Sequence, residues 1–260
     1  MKPIAVAARL VLAASVVMVA QPMKAGAAGV YENASAEPAF LLAPRRATLR
    51  GDMDFSRNEP TEASVYRAGA TFPLRGAMMV GVEQTLVSVS NDNEIKSGIG
   101  DLYIRGSARV WKTTGRAVSL LGFLGTGTTK QEYFPYSSKT LDLSASVAYT
   151  DTLETVSLYA TAGRTWVARQ DQERPVDERN TDYWRGSAGV VWDMSGPVAA
   201  FGGALYEYST DHTTRLIMYA GAGVLATDEL MVRANVQFEL GNEAQRVTDI
   251  GGSVGVTVRL

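Results

Sequence analysis

Leu141-Asp142-Leu143-Ser144-Ala145-Ser146-Val147-Ala148-Tyr149 places an apolar residue at every second position. Val232, Ala234, Val236, Phe238 and Leu240 do the same against Arg233, Asn235, Gln237 and Glu239. The end of the chain sets Ile250, Val254, Val256, Val258 and Leu260 against Ser253, Thr257 and Arg259. Successive side chains of an extended strand point to opposite faces, so a period of two gives each segment one apolar face and one wet face. Such segments recur roughly every 18 residues from Arg45 to Leu260.

Working outward from these stretches, twelve strands are expected: 45–57, 62–74, 77–90, 99–112, 117–129, 140–150, 154–168, 181–194, 198–209, 213–226, 229–240 and 246–260. Ten and fourteen are the neighbouring counts. The connections fall into two classes. Arg75-Gly76, Thr113 to Arg116, Asp151 to Leu153, Ser195-Gly196-Pro197 and Thr227-Asp228 are tight. The six that interleave with them are mostly longer and more polar, among them Asn91 to Lys96, Lys130 to Lys139 and Gln170 to Asn180. A soluble barrel has no reason to sort loop lengths to its two ends. Outer-membrane barrels do so, with short periplasmic turns, longer external loops and an even strand number. The fold class is therefore all-β, a closed antiparallel transmembrane β-barrel of about twelve strands over residues 45–260, with both termini periplasmic. Closure is required because an open sheet edge in lipid leaves backbone groups unpaired.

Lys2 and Arg9 precede an apolar run from Leu10 to Ala20, and Ala25-Gly26-Ala27 supplies small residues where a signal peptidase needs them. The expected organisation is a signal peptide over 1–27, a periplasmic segment over 28–44, then the barrel. Because the apolar run is too short to cross a bilayer as a helix, any crossing is by strands. A net charge of −2 argues against a nucleic-acid partner. No cysteine and a single histidine leave few ligands for a metal centre, and no cofactor is expected.

Aromatic placement gives a second check. Strand direction puts Phe55, Tyr66, Trp166, Trp184, Tyr206, Tyr208 and Phe238 outward near the external rim, and Phe72, Tyr149 and Trp192 outward near the periplasmic rim. Two such belts are expected where a barrel wall meets lipid headgroups, although aromatics favour strands anywhere. Arg164 and Gln84 also fall on the lipid face, where a mid-depth charge costs about 2–4 kcal/mol. A β-bulge near Gly163 would return Arg164 to the interior. Leu120-Leu121 and Phe123-Leu124 leave the inward face of the fifth strand undeclared.

Glu37-Pro38-Ala39-Phe40-Leu41-Leu42-Ala43-Pro44-Arg45-Arg46 leads into the first strand much as in many bacterial outer-membrane barrels. Gly98-Ile99-Gly100-Asp101-Leu102-Tyr103-Ile104-Arg105-Gly106 resembles the Gly-x-Gly-Asp strand motif of the MetA-pathway phenol-degradation family of outer-membrane proteins. That resemblance implies a barrel that passes small, often hydrophobic, compounds. The chain ends in Leu260, where outer-membrane proteins usually carry an aromatic residue.

The candidate functional residues are the inward charges. Parity turns Arg50, Arg67, Arg105, Arg109, Arg185, Arg215 and Arg233 into the lumen, with Asp52, Asp54, Glu83, Asp101, Asp142, Asp193, Glu207, Glu239 and Asp249. They either form a constriction whose field selects solutes, or pair across strands and brace a narrow barrel. Glu83 is placed to meet Arg105 from the preceding strand. Tyr133, Phe134 and Tyr136 make one external loop aromatic, as a lip or gate or as an inward plug.

Gly122-Phe123-Leu124-Gly125-Thr126-Gly127-Thr128-Thr129-Lys130 lacks the Lys-Ser/Thr ending and the helix of a phosphate loop, so its glycines are assigned to strand packing. His212 could act as general base toward Ser209 in an outer-membrane lipid hydrolase. The His-x-Ser spacing of twelve-stranded outer-membrane phospholipases is absent, however, since Thr214 stands at the serine position. The expected function is a porin-like outer-membrane channel for passive passage of small molecules, in contact with outer-membrane lipids and a small solute. A lipid hydrolase built on His212, or a structural barrel plugged by loop 130–139 or by residues 28–44, is the alternative.

Overall fold

The computed structural model describes residues 47–58, 61–74, 77–91, 94–126, 141–167, 182–194, 197–209, 214–240 and 250–260. They form twelve strands: β1 Thr48–Asn58, β2 Thr61–Pro73, β3 Met78–Asn91, β4 Glu94–Lys112, β5 Arg116–Thr126, β6 Asp142–Leu153, β7 Val156–Val167, β8 Tyr183–Asp193, β9 Val198–Ser209, β10 Thr214–Leu225, β11 Leu230–Leu240 and β12 Ile250–Arg259. Each strand pairs antiparallel with its chain neighbours, and β1 pairs with β12 to close the barrel. The fold class expected from the alternating pattern is the one observed.

The outward face is predominantly apolar. Leu86, Ile99, Leu143, Val147, Leu158, Val190, Met218, Val236 and Ile250 all stand exposed on it. Tyr66, Trp166, Trp184, Tyr206 and Phe238 mark one rim, and Phe72, Tyr149 and Trp192 the other, joined there by Trp111. Such an exterior is stable against lipid and not against water, which places the protein in the bacterial outer membrane. Phe55 is half-buried because its ring leans over Gly252 of β12, its register partner, where an added Cβ would come within 2.7 Å of the ring.

Strand ends differ from expectation at two hairpins. β3 and β4 remain paired to Asn91↔Glu94, so Asn91 to Lys96 is no long loop, and the connection is residues 92–93. β6 and β7 pair to Leu153↔Val156, which moves the turn to residues 154–155, with Glu154 at φ 46°. A positive φ at the first central residue belongs to the primed turns that match strand twist. The two longest connections, 127–141 and 168–182, lie at one end of the barrel, and the opposite end has only short turns.

No bulge near Gly163 returns Arg164 to the interior, and β7 runs in unbroken register with both neighbours. Irregularities occur in β4 instead. Gln84 pairs with Leu102 and Leu86 with Ile99, so Thr85 alone opposes Gly100 and Asp101. Both of those residues are buried, and the inward parity of β4 switches from even to odd at this point. Gln84, though outward by parity, sends its amide back to the bulge: Nε2 donates to the Gly100 carbonyl at 2.9 Å and to the Thr85 carbonyl at 3.1 Å. Thr85 Oγ1 donates to the Asp101 carbonyl at 2.9 Å. A lipid-facing glutamine thus finds its acceptors in backbone carbonyls at the bulge.

Arg164 stays on the outward face, near the end of β7 that leads into 168–182. Its guanidinium carbon lies 5.6 Å from the Trp166 ring centroid and 5.4 Å from that of Trp184, and its Nη2 donates to Asp182 at 3.0 Å. Stacking and an ion pair at the rim replace the bulge as the means of carrying this charge. β5 has its odd residues inside: Ala117, Ser119 and Phe123 are buried, whereas Leu120 is exposed.

Candidate functional site

The inward face carries two ion-paired ladders. On β8 to β11, Arg185 donates to Glu207 from Nε at 2.8 Å and from Nη2 at 2.5 Å. Arg215 Nη1 meets the other Glu207 oxygen at 3.0 Å and grips Glu239 in a fork, at 2.8 and 3.0 Å. On β1 to β4, Arg105 Nη2 donates to Glu83 at 3.1 Å, Arg67 reaches Glu83 at 4.0 Å and Asp54 at 2.6 Å, and Arg50 contacts Asp52. Arg105 also lies 5.8 Å from the centroid of Tyr103, which meets Phe123 edge-on. Arg185 and Arg215 are both direct register neighbours of Glu207, so the antiparallel ladder itself sets the charges opposite one another.

One pair reaches further. Arg233 on β11 and Asp52 on β1 are separated by β12, yet Nη2 and Oδ1 are 2.5 Å apart and both side chains are almost wholly buried. Gly255 lies between them in register. Its missing side chain is the space through which they meet, since a Cβ there would come within 2.9 Å of Arg233 Nε and collide with the Asp52 carboxylate.

A second bridge has the same construction. Tyr159, Gly189, Gly203 and Tyr219 form one register row across β7 to β10. The phenol end of Tyr159 lies over Gly189 and that of Tyr219 over Gly203, and their hydroxyls hydrogen-bond to each other. Val191, Ala199, Phe201, Leu205, Leu225 and Met231 complete a buried apolar cluster with this pair, and Ile217 packs against it. The interior is therefore not uniformly polar, because one wall has a hydrocarbon and aromatic patch. Counting only outward aromatics hides it; the signal was an inward aromatic aimed at a glycine on the neighbouring strand.

The remaining wall is small and hydroxylic. Ser144, Ser146 and Thr150 of β6, Ser157, Thr161 and Thr165 of β7 and Ser187 of β8 face inward, with Thr161 and Ser187 hydroxyls 2.6 Å apart. Of the sequence candidates, Asp101 is buried beside the β4 bulge, and Asp142 and Asp193 are half-buried at opposite ends of the barrel. Arg109 is half-buried on the inward side of β4, and among the described residues no carboxylate pairs with it. Asp249, His212, Tyr133, Phe134 and Tyr136 lie outside the described residues, as do 1–27, 28–44 and Gly127 to Lys130.

The model of the family described as "Putative MetA-pathway of phenol degradation" matches residues 74–259. The chain belongs to this family. The match runs from the end of β2 through β12 and includes the Gly-x-Gly-Asp motif, which the structure shows to be the bulge of β4. No curated protein matches the sequence. Among solved structures, an outer-membrane channel from Pseudomonas putida F1 superposes with a TM-score of 0.71 at 11% identity, over 88% of this chain and 100% of that one. The NanC porin gives 0.59 at 9% identity, over 82% and 100%. The KdgM porin, in complex with disordered oligogalacturonate, gives 0.58 at 6% identity, over 82% and 99%. At these identities the likeness establishes the family's barrel architecture. The substrate is a separate question.

Proposed function

We propose that this protein is a passive outer-membrane channel for small molecules, with a narrow interior and weak charge preference. The pairing of interior charges into ladders carries this reading. Arg105, Arg67, Arg185 and Arg215 each hold a carboxylate, so their fields largely cancel along the wall. Membership of a phenol-degradation family and the Tyr159–Tyr219 patch favour solutes with an apolar body, and the hydroxyl wall of β6 and β7 favours a polar edge on the same molecule. Tyr133, Phe134 and Tyr136, in the long connection after β5, are proposed as its gate.

Planar-bilayer conductance of the refolded chain, with and without residues 131–138, tests both points. Steady conductance supports the channel, and conductance appearing only after deletion identifies the gate. Absence in both forms overturns the reading in favour of a structural barrel. The hydrolase alternative requires lipase or deacylase activity in pure protein that His212→Ala lowers by the 10²–10⁴-fold typical of a general base.

A further inference from the structure

We infer that Arg109, with the hydroxyls of Ser119 and Thr150, forms a binding site for a single carboxylate group on a small solute. This rests on the channel reading, since the solute must reach the interior. The arginines of the two ladders, and Arg233, have their carboxylates within the protein. Arg109 has none among the described residues.

Arg109 and Ser119 are direct register partners across β4 and β5. Thr150 on β6 pairs with Ala117, two residues from Ser119 on the same face, which makes it the diagonal neighbour. Directly opposed side chains start about 5 Å apart and diagonal ones about 7–8 Å, within reach of one small anion. Ser119 is 1% and Thr150 9% exposed, yet neither Ser119 Oγ nor Thr150 Oγ1 has a hydrogen-bond partner in the structure. Ala117 and Ala148, the residues beside them, offer no polar side chain to satisfy them.

A buried hydroxyl left without a partner is costly, and two of them share the inward face with Arg109, one on its register partner and one on the diagonal neighbour of that partner. A carboxylate supplies acceptors for all three: four lone-pair sites for the guanidinium fork and two O–H donors, and one negative charge for one positive. A phosphate dianion would exceed the charge available. The ladder irregularity between Arg109 and Trp111 bends β4 immediately beside this group, as bulges near ligand sites do.

The test uses the full chain folded in detergent, with benzoate as probe and benzamide as its neutral counterpart, read by calorimetry or saturation-transfer NMR. Benzoate is expected to bind more tightly than benzamide. Arg109→Gln should weaken benzoate about tenfold, the scale of one lost charge-assisted hydrogen bond, and leave benzamide unchanged. The isosteric double variant Ser119→Ala/Thr150→Val should weaken it less while keeping heat-modifiable gel mobility, which covers the case in which Arg109→Gln fails to fold. Equal affinity for the two probes, or benzoate binding untouched in the folded variants, overturns the site. Conductance is recorded on the same samples. Benzoate binding without conductance sinks the channel and keeps the site, whereas conductance without benzoate binding does the reverse.

Discussion

Arg233 and Asp52 meet at 2.5 Å across a strand that belongs to neither, through the gap left by Gly255. Breaking a buried pair strands the surviving charge, at about 3–5 kcal/mol. Asp52→Ala is therefore expected to lower the unfolding free energy, read from the shift in the urea midpoint, by that order. Gly255→Ala should do nearly as much without altering either charge, because its Cβ meets both partners. Unchanged midpoints for Gly255→Ala would show that the gap is not what holds the pair.

The Tyr159–Tyr219 bridge predicts a different pattern. Tyr159→Phe or Tyr219→Phe removes one hydroxyl hydrogen bond, at roughly 1 kcal/mol, and the double variant should cost little more than either alone. Gly203→Val should cost more, about 1–3 kcal/mol, by driving a side chain into the Tyr219 hydroxyl and the Ala188 carbonyl. Chemical denaturation of the four variants in one detergent checks this; additive losses for the two phenylalanines would count against a direct bond.

Gln84→Leu looks favourable on an outward position facing lipid. It should instead destabilise by about 1–3 kcal/mol, since two part-buried hydrogen bonds, to the Gly100 and Thr85 carbonyls, are lost. A more stable Gln84→Leu barrel would mean that lipid contact outweighs those hydrogen bonds.

Arg164→Lys should be a poor substitute for arginine, because a guanidinium plane stacks between two indoles and an ammonium does not. A shift in tryptophan emission and a loss of about 0.5–2 kcal/mol are expected for Lys and Ala alike. Emission identical to the parent's in both variants would place Arg164 away from the rings.

The long connections are predicted to face outside the cell. A cysteine introduced at Gln172 should react with a membrane-impermeant label in intact cells. Labelling only after the outer membrane is opened would invert the topology.

Strand number and closure were legible because lipid imposes one rule on every outward position, and a rule repeated along twelve segments is hard to miss. The ladder contact between Arg105 and Glu83 was legible too, since parity and adjacency suffice for it. The β4 bulge was not. Ile99-Gly100-Asp101-Leu102 keeps a plausible alternation whether or not a residue is inserted, because a glycine suits either face. Arg164 misled for the opposite reason: the cost of a charge in lipid is depth-dependent, and depth at a rim depends on partners such as Trp184 and Asp182 that belong to another strand. The Tyr159–Tyr219 and Arg233–Asp52 bridges needed the register of three or four strands at once, which no single segment encodes.

The seam between β1 and β12 joins the first and last strands of the described barrel, and its residues lie some 200 positions apart. Every other pairing is a hairpin that can form as soon as its two strands exist. The topology thus sets one long-range pairing, which shuts the cylinder, against eleven between chain neighbours. A barrel lacking β12 would present the edges of β1 and β11, whose amides and carbonyls lipid cannot satisfy. Ten residues at the end of the described chain, Ile250–Arg259, therefore seal both edges at once.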